Sequence, residues 1–309
     1  MNVFLYPGQG AQYPLMGTDF YENSDAVKEL FDIAQKETGI DVKELLFNGS
    51  PEDLKQTDNT QVAITLVNLA STIMLKEKGI DPSGVAGFSL GEYAALATAG
   101  VVSVKDVFKL VKKRGDVMQS VCEGLKESKG ETGMSAVLRI TPEVIEDVIK
   151  TSGIDGVYMA NYNSPSQTVI SGLKESLLAI EPLLKEAGAR RVVHLQVSGP
   201  FHSPLLEEAK NQFEDFLSTI TFNDPQMPIY SNVTGDIIKS GEEAKKLCGD
   251  QIICPVKWIS IENKIKEAGF TTAYESGPGK VLTGLFAGID KEFKSIPSGT
   301  LEDIQGIQE

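Results

Sequence analysis

The segment from Gly84 to Ala99 places one serine between a predicted buried strand and a predicted helix. Residues 84–88 are small or apolar, residues 90–99 are strong helix formers, and Gly87 and Gly91 flank Ser89 symmetrically. A tight strand-to-helix turn needs such glycines, because a Cβ at either flank would clash with nearby backbone. The pattern is typical of a nucleophile elbow, where the hydroxyl stands clear of the sheet and helical N–H groups can bind an oxyanion. An ordinary tight turn remains the alternative, since the motif alone is weak.

Composition limits the class of protein. The chain has 309 residues, 41% of them hydrophobic and 23% charged, which suits one large globular domain with an insert. A net charge of −14 argues against nucleic acid and anionic membranes as partners. The three cysteines form no CxxC pair, as expected for reduced thiols in a cytoplasmic protein. We expect no signal peptide, and no membrane span in the polar-interrupted stretch Val62–Leu75. With two histidines, a His-rich metal site is excluded.

A first strand, Asn2–Tyr6, leads into the glycine-rich loop Pro7–Gln12. A dinucleotide-binding fingerprint fails here, because Tyr13 stands where the third glycine of G-x-G-x-x-G is required. We therefore interpret the loop as one whose backbone N–H groups approach a ligand, with Gln9 at its apex.

A β-α-β-β-α-β order is predicted after the polar stretch 123–133, which we interpret as a linker. The predicted strands are Met134–Ile140, Val157–Asn161, Thr168–Gly172 and Arg190–Val197, and the helices are Pro142–Thr151 and Lys174–Ala187. This order is typical of the ferredoxin-like fold. The sequence thus predicts an α/β protein with a small ferredoxin-like domain, residues 131–198, inserted in a large domain of residues 1–130 and 199–309.

Arg114 falls on the apolar stripe of a predicted amphipathic helix, Ser103–Val121, whereas Lys112 and Lys113 fall off it. An arginine on an apolar face needs an anion, because an unpaired buried charge is very costly. That anion is either an Asp or Glu of the fold or part of a substrate, and spacing alone does not decide between them.

A serine nucleophile needs an adjacent base, and His202 is the candidate. His194 lies in a predicted strand of the small domain, whereas His202 lies in a loop between two prolines where the large domain resumes. Lipase-like hydrolases place an acid between serine and histidine along the chain. No acid stands out in a strand-end loop between Ser89 and His202. We therefore predict a dyad whose imidazole is oriented by another group, such as a backbone carbonyl.

Eight segments in register resemble malonyl-CoA:acyl carrier protein transacylases of bacterial type II fatty acid synthesis, over nearly the whole chain. They are Gly8–Gln12, Gly87–Tyr93, Arg114 in its helix, Asn161–Pro165, Gly199–Ser203, Ser231–Gly235, Gln251 with Pro255–Trp258, and Gly277–Leu282. The resemblance implies an α/β-hydrolase-like large domain with a parallel sheet core plus a ferredoxin-like insert. It also implies malonyl-CoA as substrate, an acyl carrier protein bearing phosphopantetheine as partner, and no cofactor of the enzyme's own.

The resemblance further implies a role for each matching residue. Ser89 would attack the malonyl thioester, and His202 would take its proton and later activate the incoming thiol. The backbone N–H groups of Gln9 and Leu90 would hold the oxyanion, and Arg114 would pair with the malonyl carboxylate. The remaining implied residues are Gln251, whose main-chain carbonyl orients the histidine; Asn163, which faces the cleft; and Phe201, whose ring excludes an α-methyl group.

Two features bear on this interpretation. Phe88 stands where the family commonly has histidine before the nucleophile, which changes the acyl pocket but not the base. The negative net charge opposes anionic partners, so docking needs a local basic patch, with Lys185, Arg190, Arg191, Lys257 and Lys280 as candidates. The rival hypotheses are a discrete acyltransferase or editing thioesterase of a polyketide pathway, and a non-catalytic carrier-docking module. We expect a monomer.

Overall fold

The computed structural model describes residues 1–197 and 199–308, and it is a mixed α/β fold with one parallel and one antiparallel sheet. Ser198, the last residue of the predicted small domain, and Glu309 lie outside the described residues. The strands are β1 Asn2–Tyr6, β2 Gly84–Gly87, β3 Thr132–Leu138, β4 Val157–Ser164, β5 Gln167–Leu173, β6 Arg191–His194, β7 Ile229–Tyr230, β8 Thr272–Glu275 and β9 Lys294–Pro297.

The α-helices complete the element order. They are α1 Thr18–Asn23, α2 Asp25–Thr38, α3 Val42–Phe47, α4 Thr57–Glu77, α5 Gly91–Thr98, α6 Val104–Lys129, α7 Pro142–Thr151, α8 Lys174–Glu186, α9 Glu207–Leu217, α10 Gly241–Asp250, α11 Trp258–Glu267, α12 Val281–Ile289 and α13 Leu301–Gln305. None of the helices among the described residues is long and apolar enough to cross a membrane.

The parallel sheet has the order β7-β2-β1-β8-β9. Its central strands are apolar and buried on both faces, as parallel strands covered by helices require. Strands β1 and β2 pair with Tyr6 opposite Gly87. The carboxyl ends of both strands therefore meet at one edge, which brings the loop that follows Tyr6 against the turn that contains Ser89.

The antiparallel sheet has the order β4-β5-β3-β6, and the elements run β3-α7-β4-β5-α8-β6 along the chain. Its core lies between the sheet and α7 and α8, and includes Val137, Ile145, Ile170 and Ile180. The sheet joins the rest of the molecule at β4, where the Val256 N–H donates to the Ala160 carbonyl and the Tyr162 N–H donates to the Val256 carbonyl.

The predicted linker 123–133 is wrong for most of its length, because α6 continues to Lys129. Cys122 and Leu125 extend the buried stripe of this helix, and Glu123, Lys126 and Glu127 are good helix formers, so packing overrides the polar composition and Gly124. Gly130, with a φ of 89°, follows the helix. Strand β3 then begins at Thr132.

Other differences are local. Ser50 followed by Pro51 is a typical helix start and predicts a helix there, but only a single 3-10 turn, Asp53–Lys55, forms. The sequence also predicts a helix over residues 254–265, and the observed helix begins at Trp258. Elements α1, α10, α13 and β9 were not predicted. The last three are short and polar or half-exposed, so their periodic signal is weak.

Candidate active site

Ser89 occupies a cramped bend between β2 and α5, with a left-handed φ of 50°. A Cβ on Gly87 would lie 2.0 Å from the Gly91 carbonyl carbon, and one on Gly91 would lie 2.0 Å from the Tyr6 carbonyl oxygen. A Cβ on Gly8 would lie 2.4 Å from the Phe88 carbonyl oxygen. The glycines thus allow the loop after β1 to pack directly on the bend, as the sequence pattern predicts.

His202 reaches this bend from far along the chain. Its Nε2 lies 2.8 Å from the Ser89 Oγ, and its Nδ1 lies 2.9 Å from the Gln251 carbonyl and 3.1 Å from the Cys254 carbonyl. Carbonyl oxygens only accept hydrogen bonds, so Nδ1 carries the proton and Nε2 is free to accept from the serine hydroxyl. Two main-chain carbonyls thus orient the imidazole where hydrolases use an acid.

The imidazole is 4% exposed and electrically neutral near pH 7. Burial, reinforced by the positive charge of Arg114, lowers the pKa of His202 to about 4, against the opposing effect of the two carbonyls. A neutral ring is the form that can accept a proton. The charge of Arg114 therefore acts directly on the candidate base.

Arg114 points from α6 into the interior and is 2% exposed. Its Nη1 donates to Gln61 Oε1 at 2.9 Å and its Nη2 donates to Gln251 Oε1 at 3.2 Å. Both partners are uncharged amides, Nε has no partner within the described part of the chain, and no carboxylate there lies within 4.0 Å. Hence the fold orients this guanidinium without an ion pair, and leaves it able to bind an anion.

Gln251, at the end of α10, connects the two halves of the site. Its main-chain oxygen holds His202, its Oε1 holds Arg114, and its Nε2 donates to the Ser89 carbonyl at 3.1 Å. The side chain is 1% exposed. One residue thus fixes the relative positions of the serine, the imidazole and the guanidinium.

A cavity of about 230 Å³ lies over these groups. The residues singled out from the sequence that line it are Gln9, Ser89, Leu90, Arg114, Asn163, Phe201 and His202. Asn163, on β4, is 6% exposed, and its Oδ1 has no partner among the described residues. Seven of the eight predicted site residues are therefore gathered around one cavity, and Gln251 supports them from behind.

His194 lies outside this cavity and is bound elsewhere. It sits at the end of β6 with its ring half-exposed, its Nδ1 2.9 Å from Ser135 Oγ and its Nε2 3.1 Å from Glu181 Oε2. The choice of His202 over His194 as the partner of Ser89 therefore agrees with the geometry.

Three buried residues of the site were not singled out from the sequence: Gln61, Glu92 and Asn232. Asn232 Oδ1 accepts from the Ser89 N–H at 2.5 Å, and its own N–H donates to Glu92 Oε2 at 2.7 Å. Burial raises the pKa of Glu92 to about 7, although Asn232, Gln251 and Arg114 oppose the shift. Glu92 and Asn232 lie within segments that carry the resemblance, whereas Gln61 gives only the weak signal of a polar residue in an apolar helix.

Comparison with known proteins gives a consistent result. The acyl transferase domain family matches residues 3–278. A malonyl CoA-acyl carrier protein transacylase of Bacillus subtilis (strain 168) is 38% identical over 98% of this chain and 95% of its own. The crystal structure of the enzyme of that name from Clostridium perfringens superposes with a TM-score of 0.93, at 38% identity over 98% of this chain and 95% of that one.

A third similar structure includes a partner. It is a malonyl-transacylase solved in complex with the holo acyl-carrier protein of a type II PKS, and it superposes with a TM-score of 0.93 at 33% identity, covering 98% of this chain and 97% of that one.

Proposed function

Because this chain belongs to the family of malonyl CoA-acyl carrier protein transacylases, we propose that it transfers a malonyl group from malonyl-CoA to the phosphopantetheine thiol of an acyl carrier protein. It is an acyltransferase, and the names of its relatives support malonyl transfer to an acyl carrier protein. The supply of malonyl units for fatty acid synthesis is the role we propose for it. The observation that carries the substrate assignment is the buried Arg114 guanidinium, held by neutral amides and lining the same cavity as Ser89 and His202.

The first half-reaction acylates the serine. His202 Nε2 accepts the hydroxyl proton as Ser89 Oγ attacks the thioester carbonyl, and CoA leaves as its thiol after receiving that proton. The backbone N–H groups of Leu90, at the start of α5, and of Gln9, in the loop packed on the elbow, bind the oxyanion. The product is a malonyl-serine ester.

Arg114 gives the site its preference for a charged acyl group. Its planar guanidinium binds the free malonyl carboxylate in a bidentate manner. Binding of that carboxylate also offsets the positive charge that helps to lower the pKa of His202. The correct substrate therefore strengthens the base that activates the nucleophile, whereas a neutral acyl group does not.

The second half-reaction uses the same groups in reverse. The thiol of the carrier-bound phosphopantetheine enters in place of CoA, His202 removes its proton, and the thiolate attacks the malonyl-serine carbonyl. The ester C–O bond then breaks, and Ser89 Oγ leaves as the hydroxyl after taking the proton back from His202 Nε2. One thioester replaces another, so the transfer is reversible and of the ping-pong type. Hydrolysis competes only if water reaches the ester, and a carrier-bound phosphopantetheine arm that fills the cavity would limit that access.

The remaining lining residues shape the acyl pocket. Phe201 is 6% exposed beside His202, and its ring leaves little room for an α-methyl substituent. Asn163, on β4, lines the cavity, and its Oδ1 has no hydrogen-bond partner in the described part of the chain. Phe88 lines the cavity and packs edge-on against Trp258, with ring centroids 5.3 Å apart. Because its ring has no ionisable group, it takes no part in the proton transfers.

We describe the architecture as an α/β-hydrolase-like large domain, residues 1–130 and 199–309, with a ferredoxin-like insert, residues 131–198. The parallel sheet with an elbow after β2 supports the first description, and the order β4-β5-β3-β6 in a β-α-β-β-α-β segment supports the second. A monomer in the cytoplasm is the proposed state, which the free thiols of Cys122, Cys248 and Cys254 suit.

Incubation with malonyl-CoA and an acyl carrier protein, in holo and apo forms, tests the proposed function. Mass spectrometry of the carrier should show one malonyl group on the holo form and none on the apo form, which lacks the thiol. Steady release of free malonate with no malonyl carrier would instead identify a thioesterase. A holo carrier protein from a polyketide system, run in parallel, separates the fatty-acid role from the polyketide role by the ratio of the two kcat/KM values.

A further inference from the structure

Asn232 lies two residues beyond the end of β7, yet its side chain makes the hydrogen bonds that the next backbone position of β7 would make to β2. Strand β7 pairs with β2 through Ile229 and Tyr230, opposite Val85 and Ala86, and then ends. Two residues later, Asn232 Nδ2 donates to the Gly87 carbonyl at 2.6 Å and Oδ1 accepts from the Ser89 N–H at 2.5 Å. In a parallel ladder, one residue donates its N–H to residue j−1 and accepts from residue j+1 of the neighbouring strand. The Asn232 carboxamide makes that pair of bonds around Phe88.

Phe88 is held from the opposite edge as well, because its N–H donates to the Tyr6 carbonyl at 2.9 Å. The end of β2 is therefore hydrogen-bonded on both edges. The loop end of β1 bonds to Phe88 on one edge, and on the other edge the Asn232 side chain continues where β7 ends. Ser89 itself has a φ of 50°, a conformation that costs a non-glycine residue about 1 kcal/mol or more. A bend of this kind persists only where surrounding contacts fix it.

Asn232 is in turn fixed by its main chain. Its N–H donates to Glu92 Oε2 at 2.7 Å, and its carbonyl accepts from the Lys257 N–H at 2.9 Å. Asn232 is 0% exposed and Glu92 is 1% exposed, so water does not compete for these bonds. Glu92 lies in the first turn of α5, where a carboxylate also interacts favourably with the helix dipole.

We propose that Asn232, held by Glu92, is a positioning residue for Ser89: its carboxamide replaces the missing strand residue opposite Phe88 and fixes the bend that presents the nucleophile. This inference rests on the proposed acyl transfer at Ser89. We call the Asn232 carboxamide, with its bonds to the Gly87 carbonyl and the Ser89 N–H, the clamp. Loss of the clamp lets the bend relax, which moves Ser89 Oγ and the Leu90 N–H together relative to His202. Arg114 and the cavity walls, which bind the substrate, keep their own contacts.

The clamp therefore predicts an effect on kcat rather than on KM. Asn232→Ala removes both bonds to the bend, and the isosteric Asn232→Asp keeps an acceptor for Ser89 but faces the Gly87 carbonyl with an oxygen. Each should lower the rate of Ser89 malonylation by a factor of about 10 to 100, the effect of losing one or two buried hydrogen bonds. The apparent KM for malonyl-CoA should change by less than about threefold.

A double-mutant cycle tests whether Glu92 acts through Asn232. Glu92→Leu should lower the rate by about 10-fold, and adding it to Asn232→Ala should cost clearly less than that factor, because the carboxamide that Glu92 holds in place is already gone and only the effects of Glu92 through Gln251 and Arg114 remain. Glu92→Gln, which keeps an acceptor for the Asn232 N–H, should recover most of the loss. Glu262→Gln is the matched control, since Glu262 is also fully buried and accepts one bond, from Trp258 Nε1 at 2.8 Å; its rate should stay within about twofold.

Several results would overturn the inference. They are a rate for Asn232→Asp and Asn232→Ala within threefold of wild type, additive losses in the double variant, or a loss that falls on KM. If Glu92→Leu fails to fold, Asn232→Asp still decides the matter by its malonylation rate relative to wild type, and a rate within threefold would overturn the inference. Wild-type protein that forms no malonyl adduct would instead count against the proposed function and not against the clamp.

Discussion

Ser89 Oγ and His202 Nε2 lie 2.8 Å apart, although 113 residues separate them in the chain. Both residues have left-handed backbone angles, with φ values of 50° and 57°. Main-chain carbonyls of Gln251 and Cys254 hold the far side of the ring. The reactive pair thus depends on three segments that are distant in sequence and meet in the fold.

Replacement of Arg114 should change which acyl group is transferred. Arg114→Ala should lower kcat/KM for malonyl-CoA by about 100-fold or more, since a buried charge pair is lost, while acetyl-CoA is spared or gains. The neighbouring Lys113→Ala is the control, because Lys113 does not line the cavity, and it should alter neither substrate by more than about twofold. Equal losses for both substrates would show that Arg114 supports the fold rather than the selection.

The acid limb of the pH profile should follow the His202 pKa of about 4. Only the neutral ring accepts a proton, so wild-type kcat/KM should stay level from pH 8 to about 5 and fall as the pH decreases through about 4. Arg114→Ala removes a positive charge that lowers this pKa, so with acetyl-CoA its acid limb should move to higher pH. A circular dichroism series at each pH excludes acid unfolding, and an unmoved limb would mean that Arg114 does not act on the base.

Gln251→Glu should weaken malonyl transfer by introducing an anion of the protein's own. The Gln251 Oε1 already accepts from Arg114, so a carboxylate there would neutralise the guanidinium and compete with the malonyl group. Initial rates should show kcat/KM for malonyl-CoA about 10- to 100-fold lower, with acetyl-CoA less affected. Gln212→Glu, on the exposed face of α9, adds the same charge elsewhere and should have no effect. Malonyl transfer at the wild-type rate in Gln251→Glu would contradict this account.

Two glycine substitutions should have opposite effects on stability. Gly87→Ala places a Cβ 2.0 Å from backbone at the elbow and should lower the free energy of unfolding by about 3 kcal/mol or more. Gly124→Ala, on the exposed face of α6 with nothing within 4 Å of the new Cβ, should raise it by about 0.5–1 kcal/mol. Urea unfolding of both variants measures the two effects, and a Gly87→Ala protein as stable as wild type would refute the steric argument.

Local signals predicted the parts of the fold that short segments determine. The elbow, the exact bounds of β1 and α7, and the β-α-β-β-α-β order all follow from periodicity and turn residues. The C-terminal end of α6 was missed, because its polar composition hides the buried side chains of Cys122 and Leu125. Elements such as β9 form only because β8 is there to pair with.

The site residues likewise fall into those that local sequence signals predict and those that only the fold brings together. Ser89 and Arg114 carry their own signals, a cramped bend and a charge on an apolar stripe, and His202 follows by elimination from two histidines. The partners of Arg114 could not be predicted, because Gln61 and Gln251 reach it from helices remote in sequence. Asn232 was equally hidden, since a side chain that replaces a strand residue leaves no periodic pattern.

Intact-mass spectrometry of the enzyme after incubation with malonyl-CoA alone tests the central claim most directly. The wild-type protein should gain the mass of one malonyl group, peptide mapping should place it on Ser89, and addition of a holo acyl carrier protein should remove it. Ser89→Ala should gain nothing. An adduct that persists in Ser89→Ala, or transfer to the carrier without any adduct on the wild-type enzyme, would contradict the account.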